Sequence, residues 1–265
     1  MSITTTLGDG WTVTRRNLFA MSRNPEVVIW STIQPVMFIV LFVYVFDSIP
    51  TPGIAYEDYV MAGIFAQTVM FNSALTGVGL ATDIQKGIID RFRSLPMARS
   101  AVLVGRTTGD IVNGLAQLVV MVVVGLLVGW RTDAPLPSVL AGLLLVLAIG
   151  YVFSWISAAV GLSVRSVEVA NSAGFVWMFP LTFVSNVFVD INTLSPAVRR
   201  FAEWNPMSAF VAAIRELLGN TSDQIPQPDV WPLQNPVLAS VLWLVLILAV
   251  FVPLSVRQYK KAASR

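Results

Sequence analysis

The sequence contains neither cysteine nor histidine among its 265 residues. Without cysteine there are no disulfides and no thiol nucleophiles, and without histidine there is no imidazole for acid–base catalysis or for a zinc or haem site. The P-loop pattern G-x-x-x-x-G-K-S/T, which cradles the phosphates of ATP, is also missing. These absences exclude those catalytic and metal sites; we further expect that the chain is not an enzyme and binds no metal or cofactor of its own.

Charged residues are scarce as well, at 12% of the sequence, against about a quarter in an average soluble domain. Hydrophobic residues make up 55%, and they fall in runs long enough for helices that cross a bilayer. The sequence therefore predicts an all-α integral membrane protein with six transmembrane helices, in a single transmembrane domain over residues 1–265. The predicted spans are residues 27–46, 59–81, 107–129, 138–162, 172–190 and 236–256.

Further helices are predicted outside the spans. Residues 11–24 place apolar side chains on one face and arginines on another, as in an amphipathic helix that lies in the membrane interface. Between the last two spans, residues 196–219 predict short outer helices, the first of them over residues 196–204. Asn205 and Pro206 form a start signal for the second, and Gly219 with Asn220 a stop signal.

The distribution of charge predicts the orientation in the membrane, because lysine and arginine concentrate in cytoplasmic segments. Most basic residues fall on one side of the predicted spans: Arg15, Arg16, Arg23, Lys86, Arg91, Arg93, Arg99, Arg106, Arg165, Arg257, Lys260, Lys261 and Arg265. Only Arg131, Arg199, Arg200 and Arg215 fall on the other. The sequence thus predicts that both termini are cytoplasmic.

One polar stretch, residues 83–96, separates the second and third spans. As a helix it would carry Ile84, Ile88, Phe92 and Leu95 in one apolar stripe, with charged side chains on another face. A helix of this kind lies along the membrane surface or binds a soluble partner. The alternative is an ordinary basic cytoplasmic loop, because charged runs are often simply solvated.

The third span carries Asp110, Asn113 and Gln117 on one helical face. Polar side chains at membrane depth usually face other helices or a cavity. Asp110 is the one candidate carboxylate for a proton-coupled carrier, but we interpret it as an interfacial residue that pairs with Arg106, one helical turn earlier.

Small residues mark two helix faces for close packing. Gly125 and Gly129 form a G-x-x-x-G pattern in the third span. The fourth span carries a ridge of small side chains, formed by Gly150, Ser154, Ala158 and Gly161. Ridges of this kind let helix backbones approach each other in a membrane.

These features together resemble the permease subunits of ABC type-2 exporters, within them the daunorubicin/doxorubicin-resistance drug-efflux permease family. The inner-loop motif is carried here by Asp83, Lys86, Gly87, Arg91, Ser94-Leu95-Pro96 and Arg99, with aspartate where relatives more often have glutamate. The outer motif is carried by Leu194, Pro196, Asn205, Pro206 and Arg215. The order of the spans and the long outer connection before the last span fit the same family.

The resemblance implies a permease in a bacterial cytoplasmic membrane that works as a dimer, with an identical copy or a paralogue, and with two copies of a separate ATPase subunit. ATP and Mg would bind to that partner. Residues 83–96 would form the coupling helix, and the ATPase contacts would be Asp83, Lys86, Gly87, Arg91, Phe92, Leu95 and Pro96, with Arg165 and Glu168 in a second contact.

For the substrate path, the resemblance points to the first, second and fifth spans. Candidate lining residues are Gln67, Phe71, Asn72, Phe175 and Asn186, although interhelical packing would explain them equally well. The expected substrate is a small amphipathic drug-like or lipid-like compound, and no nucleic acid is expected to bind. The alternatives are export of a polysaccharide or another polar polymer, and a membrane scaffold that transports nothing.

Overall fold

The computed structural model describes residues 25–46, 51–87, 99–164, 166–226 and 228–262. These residues form helices and turns and contain no strand. In chain order the helices are α1 (Pro25–Val45), α2 (Tyr56–Asn72), α3 (Ala74–Gln85), α4 (Arg99–Val128), α5 (Leu136–Ser163), α6 (Val167–Phe183), α7 (Pro196–Trp204), α8 (Pro206–Leu218), α9 (Trp231–Gln234) and α10 (Pro236–Ala262), with a 3-10 turn at Ile191–Thr193.

Each predicted span overlaps a helix, or two helices in the case of residues 59–81, and four stretches of the described residues are long and apolar enough to cross a membrane. They are Tyr56–Gln85, Arg106–Val128, Leu136–Ser163 and Pro236–Lys261. Helix α1 contributes a shorter apolar stretch, Thr32–Val45, and α6 has 17 residues. The all-α membrane architecture is therefore confirmed, while the count of six spans stays a prediction.

Helix α6 does not share the bounds of the fifth predicted span, residues 172–190. Helix α6 begins earlier, at Val167, because the Ser166 hydroxyl caps it by accepting a hydrogen bond from the backbone N–H of Val169 at 3.3 Å. It also ends earlier, at Phe183, shortly after Pro180. Proline has no N–H to donate to the preceding turn, which weakens the helix there.

Helices α2 and α3 form the centre of the bundle, and almost all side chains of α2 are buried. The two helices are separated only at Ser73, whose hydroxyl donates to the carbonyl of Met70. Around them pack α1, α4, α5, α6 and α8. Helices α4 and α10 instead expose large apolar side chains such as Leu127 and Val245. An apolar exposed surface on long helices suits contact with lipid.

The small-residue ridge of α5 packs closely on its neighbours, with Gly161 against α3 and Gly150 against Val69 of α2. A Cβ added to Gly161 would overlap the backbone carbonyl of Gly77, and one on Gly77 would lie 2.5 Å from the carbonyl oxygen of Ser157. The two backbones are therefore in direct contact. The G-x-x-x-G pattern behaves differently, because Gly129 follows the end of α4 with a φ of +111° and terminates the helix.

The outer helices form where the sequence predicts them. Asn205 caps α8 by accepting a hydrogen bond from the Met207 N–H at 2.9 Å, and Pro206 is the first helical residue. Gly219 closes α8 in the left-handed conformation with a φ of +71°. The Asn205 amide also donates to the carbonyls of Leu181 and Val184, so it ties α8 to the end of α6.

The predicted helix over residues 83–96 does not begin at Asp83. Helix α3 continues through Asp83 and Ile84 and ends at Gln85, and Gly87 follows with a φ of +63°. Glycine adopts this left-handed conformation at no steric cost and so terminates a helix well. Ile84 packs against a cluster that contains Leu80, Leu103 and Trp155.

Several predictions fall outside the described residues. They are the interfacial helix over residues 11–24, residues 88–98 with Arg91, Phe92, Leu95 and Pro96, and Arg165.

Candidate functional sites at the two ends of the bundle

Side-chain charges separate the two ends of the bundle. The basic end contains the last turn of α3, the first turns of α4 and α6, and the last turn of α10, with Lys86, Arg106, Arg257, Lys260 and Lys261. The acidic end contains the segments that connect α1 to α2, α4 to α5 and α6 to α10, with Glu57, Asp58, Asp133, Asp190, Glu203, Glu216, Asp223 and Asp229. Hydrogen bonds such as Asn220 Nδ2 to the carbonyl of Arg131, at 2.8 Å, connect the segments of the acidic end.

At the basic end, an ion pair joins α4 to the last turn of α3. Arg106 Nη1 lies 3.2 Å from Asp83 Oδ2. The Arg106 side chain passes over Gly79 to reach Asp83. A Cβ at position 79 would overlap the guanidinium group of Arg106. The predicted ATPase contact Asp83 is thus engaged within this chain, while Lys86 and Glu168 are exposed at the same end.

The predicted pairing of Asp110 with Arg106 is wrong. Arg106 turns to Asp83, and Asp110 accepts a hydrogen bond from the Thr76 hydroxyl on α3 instead. One to two turns further along α4, Gln117 Oε1 accepts from Asn72 Nδ2 at 2.8 Å. The polar face of α4 therefore packs on polar groups of α2 and α3, because such groups find no other partners in an apolar surrounding.

The five candidate path residues lie in different places. Phe71 and Phe175 come together, with ring centroids 6.0 Å apart. Asn72 faces α4, and Gln67 is buried inside the bundle. Asn186 lies at the acidic end, where its Nδ2 donates to the carbonyl of Ser208 at 3.1 Å. Phe71 and Phe175 make ring contacts and Asn72 and Asn186 make hydrogen bonds within this chain, and a path along the five residues stays a prediction.

A row of phenylalanines continues from Phe71 and Phe175 towards the acidic end. Neighbouring ring centroids along this row are 4.2–6.0 Å apart. Its further members are Phe179, Phe183, Phe188 and Phe42. The sequence analysis missed the row, although the four-residue spacing of Phe175, Phe179 and Phe183 places these rings on one helical face.

Arg215 is the buried cation of the acidic end, with 6% of its surface exposed. Its Nε donates to the carbonyl of Tyr59 at 2.8 Å, and its Nη2 to the carbonyls of Asn186 at 2.7 Å and Val187 at 3.3 Å. The guanidinium carbon lies 3.6 Å from the centre of the Tyr59 ring. Burial lowers the pKa of Arg215, but an arginine keeps its charge in proteins.

The hydrogen bonds of the Arg215 side chain connect three parts of the chain. It connects α8 to the first turn of α2 and to the segment that follows α6. Among the described residues, Arg215 forms no ion pair with a carboxylate. The sequence placed it among the outer basic residues and did not predict its burial, because one arginine in an amphipathic helix gives no sign of which carbonyls it will meet.

Comparisons with known proteins agree with the helical layout. The family described as ABC-2 type transporter matches residues 9–218. A daunorubicin resistance ABC transporter permease protein of Streptomyces coeruleorubidus is 31% identical over 246 residues, which cover 92% of this chain and 83% of that protein. A doxorubicin resistance ABC transporter permease protein of Mycobacterium tuberculosis is 28% identical over 250 residues, which cover 90% of this chain and 85% of that protein.

Proposed function

Because the chain belongs to the ABC-2 type transporter family, we propose that it is the transmembrane permease subunit of an ATP-driven exporter. The observation that carries the proposal is the 31% identity over 92% of the chain to a daunorubicin resistance permease. The proposed cargo is an amphipathic drug-like or lipid-like compound, moved out of the cytoplasm or out of the inner leaflet. Both termini and the basic end would face the cytoplasm, following the positive-inside rule.

A separate ATPase would supply the energy, in two copies per dimer of permeases. The chain carries no P-loop of its own, so ATP and Mg would bind to that partner. The basic end suits the contact, since Lys86 and Glu168 are exposed there. Residues 88–98 lie between α3 and α4, so force applied to this segment would reach both helices.

Movement would pass into the membrane through α3. This helix is held to α4 by the Asp83–Arg106 pair and to α5 by the backbone contact of Gly77 with Gly161. A helix fixed on two sides moves with its neighbours as one body, which a lever between an ATPase and a transport path requires. Opening and closing would then change the contact between the two permeases of the dimer.

The first test is purification of the tagged chain from its own host in mild detergent, followed by mass spectrometry. We expect a P-loop ATPase in stoichiometric amount, together with ATP-dependent uptake of an amphipathic dye into inside-out vesicles. A combined Arg91→Glu, Phe92→Ser, Leu95→Ser variant should abolish both ATPase association and uptake. Arg199→Glu with Arg200→Glu, at the other end of the bundle, is the control and should keep ATPase association.

Recovery of the chain alone, from several detergents and from nanodiscs, would contradict the exporter proposal and favour a scaffold. Retention of the ATPase and of uptake by the triple variant would contradict the assignment of residues 83–96 as the coupling segment.

A further inference from the structure

An open cavity of about 630 Å³ lies at the acidic end, between α8, the segment that follows α6, and the residues that lead into α10. Its volume is within the range of about 300–1,000 Å³ that is usual for small-ligand sites. Apolar side chains such as Ile191, Ala212 and Leu233 form part of its wall, and polar side chains form the rest. A wall of this mixed kind suits an amphipathic ligand.

The charges around this cavity favour a cationic ligand. Asp190, Glu216 and Asp223 line it, against Arg215 as the single cation among the described lining residues. The Arg215 guanidinium is already directed at backbone carbonyls and at the Tyr59 ring. Several carboxylates around a concave surface raise the local concentration of cations.

An unsatisfied acceptor points to the same kind of ligand. Asn186 lines the cavity, has 8% of its surface exposed, and donates its Nδ2 hydrogen to the carbonyl of Ser208. Its Oδ1 is buried and has no hydrogen-bond partner among the described residues. A buried carbonyl oxygen without a donor costs about 1–3 kcal/mol, which a ligand N–H would recover once the amide turned its oxygen towards the cavity.

A metal ion does not fit this arrangement. Within the described parts of the chain, no three carboxylates lie close enough together to hold one ion. Carboxylates that are spread around a cavity with apolar walls suit an organic cation, whose charged group and apolar body occupy different parts of the site.

We propose that this cavity binds an amphipathic organic cation, whose ammonium group donates to the Asn186 amide oxygen and is attracted by the surrounding carboxylates of Asp190, Glu216 and Asp223. In export, this cavity would be a binding site for the transported compound at the acidic end, and that role rests on the proposed function. The binding itself needs neither ATP nor the ATPase.

The test uses three probes of nearly the same shape: 1-pyrenemethylamine, which carries an ammonium group, neutral 1-pyrenemethanol, and the anion 1-pyrenecarboxylate. Binding to the purified chain in nanodiscs is measured by fluorescence anisotropy, with empty nanodiscs subtracted. We expect the ammonium probe to bind at least fivefold more tightly than the alcohol and the carboxylate to bind most weakly.

Variants then place the binding in the cavity. Glu216 and Asp223 are both exposed, so Glu216→Gln with Asp223→Asn should leave the fold intact and reduce the advantage of the ammonium probe to twofold or less. Asp133→Asn is the matched control, because it removes an exposed carboxylate at the same end but outside the cavity. Equal binding of the three probes, or an equal loss in Asp133→Asn, would overturn the proposal.

The outcomes separate this inference from the proposed function. Selective ammonium binding by a chain that recovers no ATPase would keep the cavity site and reject the exporter. ATP-dependent uptake by a chain with no preference for the ammonium probe would keep the exporter and reject the cavity site.

Discussion

Gly161 of α5 and Gly77 of α3 meet backbone to backbone, with no room for a side chain between them. We expect Gly161→Val to destabilise the chain by about 1–3 kcal/mol or more, because overpacking a close helix crossing forces the backbones apart. The measurement is the midpoint temperature of thermal unfolding in detergent, which is monitored by tryptophan fluorescence.

The control for this crossing is Gly114→Ala on α4. A Cβ at Gly114 would meet only the Cδ2 of Leu147, at an ordinary 3.7 Å. Alanine is also the better helix former, by about 1 kcal/mol. Gly114→Ala should therefore unfold at or above the temperature of the unchanged chain. An equal loss in both variants would contradict the close crossing of α3 and α5.

The Asp83–Arg106 pair should contribute more to transmission than to stability. The pair is partly exposed, so Asp83→Asn is expected to cost only about 0–1 kcal/mol of unfolding free energy. If α3 and α4 move together, the same variant should lower ATP-dependent uptake at least threefold without loss of the ATPase. The charge-exchanged double variant Asp83→Arg with Arg106→Asp should restore part of the uptake. If uptake is not restored, the ion pair has no part in the coupling mechanism.

We expect that position 87 requires glycine because of its backbone conformation, and not because a side chain would clash with a neighbour. The φ of Gly87 is +63°, and a Cβ there would have no neighbour within 4 Å among the described residues. Gly87→Ala is expected to cost about 1–2 kcal/mol locally, because residues with a Cβ are strained in the left-handed region. Asparagine tolerates this conformation better, so ATPase association should fall in Gly87→Ala and recover in Gly87→Asn. The same loss in both variants would indicate a side-chain clash with the partner.

Arg215 should be a structural requirement of the acidic end. Arg215→Met keeps the apolar stem but leaves the carbonyls of Tyr59, Asn186 and Val187 without this donor. Each unsatisfied buried group costs about 1–3 kcal/mol, so we expect unfolding at a markedly lower temperature. Arg200→Met is the control, because Arg200 is exposed on α7 and its loss should change the midpoint little. An unchanged midpoint in Arg215→Met would show that water replaces the guanidinium.

Much of the fold and part of the site could be predicted from local patterns. Four stretches of the described residues that are long enough to span a membrane follow from runs of apolar residues, and α7 and α8 follow from their proline and glycine signals. The family, which the comparisons confirm, was predicted from the motifs taken together. The misplaced start of the predicted helix at Asp83 came from the same kind of pattern. An apolar stripe can be extended across Gly87 on paper, whereas the backbone there takes a positive φ.

The sequence by itself determined that the chain is all-α with several helices apolar enough for a membrane, and how the charges divide between the two ends of the bundle. Both properties depend on residues that are neighbours along the chain, so composition and periodicity reveal them. The tertiary structure decided which distant groups meet: Arg106 with Asp83 instead of Asp110, Gly77 with Gly161, and Arg215 with the carbonyls beside Asn186. Which groups meet in these pairs depends on how the helices cross and on which polar groups are shielded from water. No local sequence pattern encodes how the helices cross.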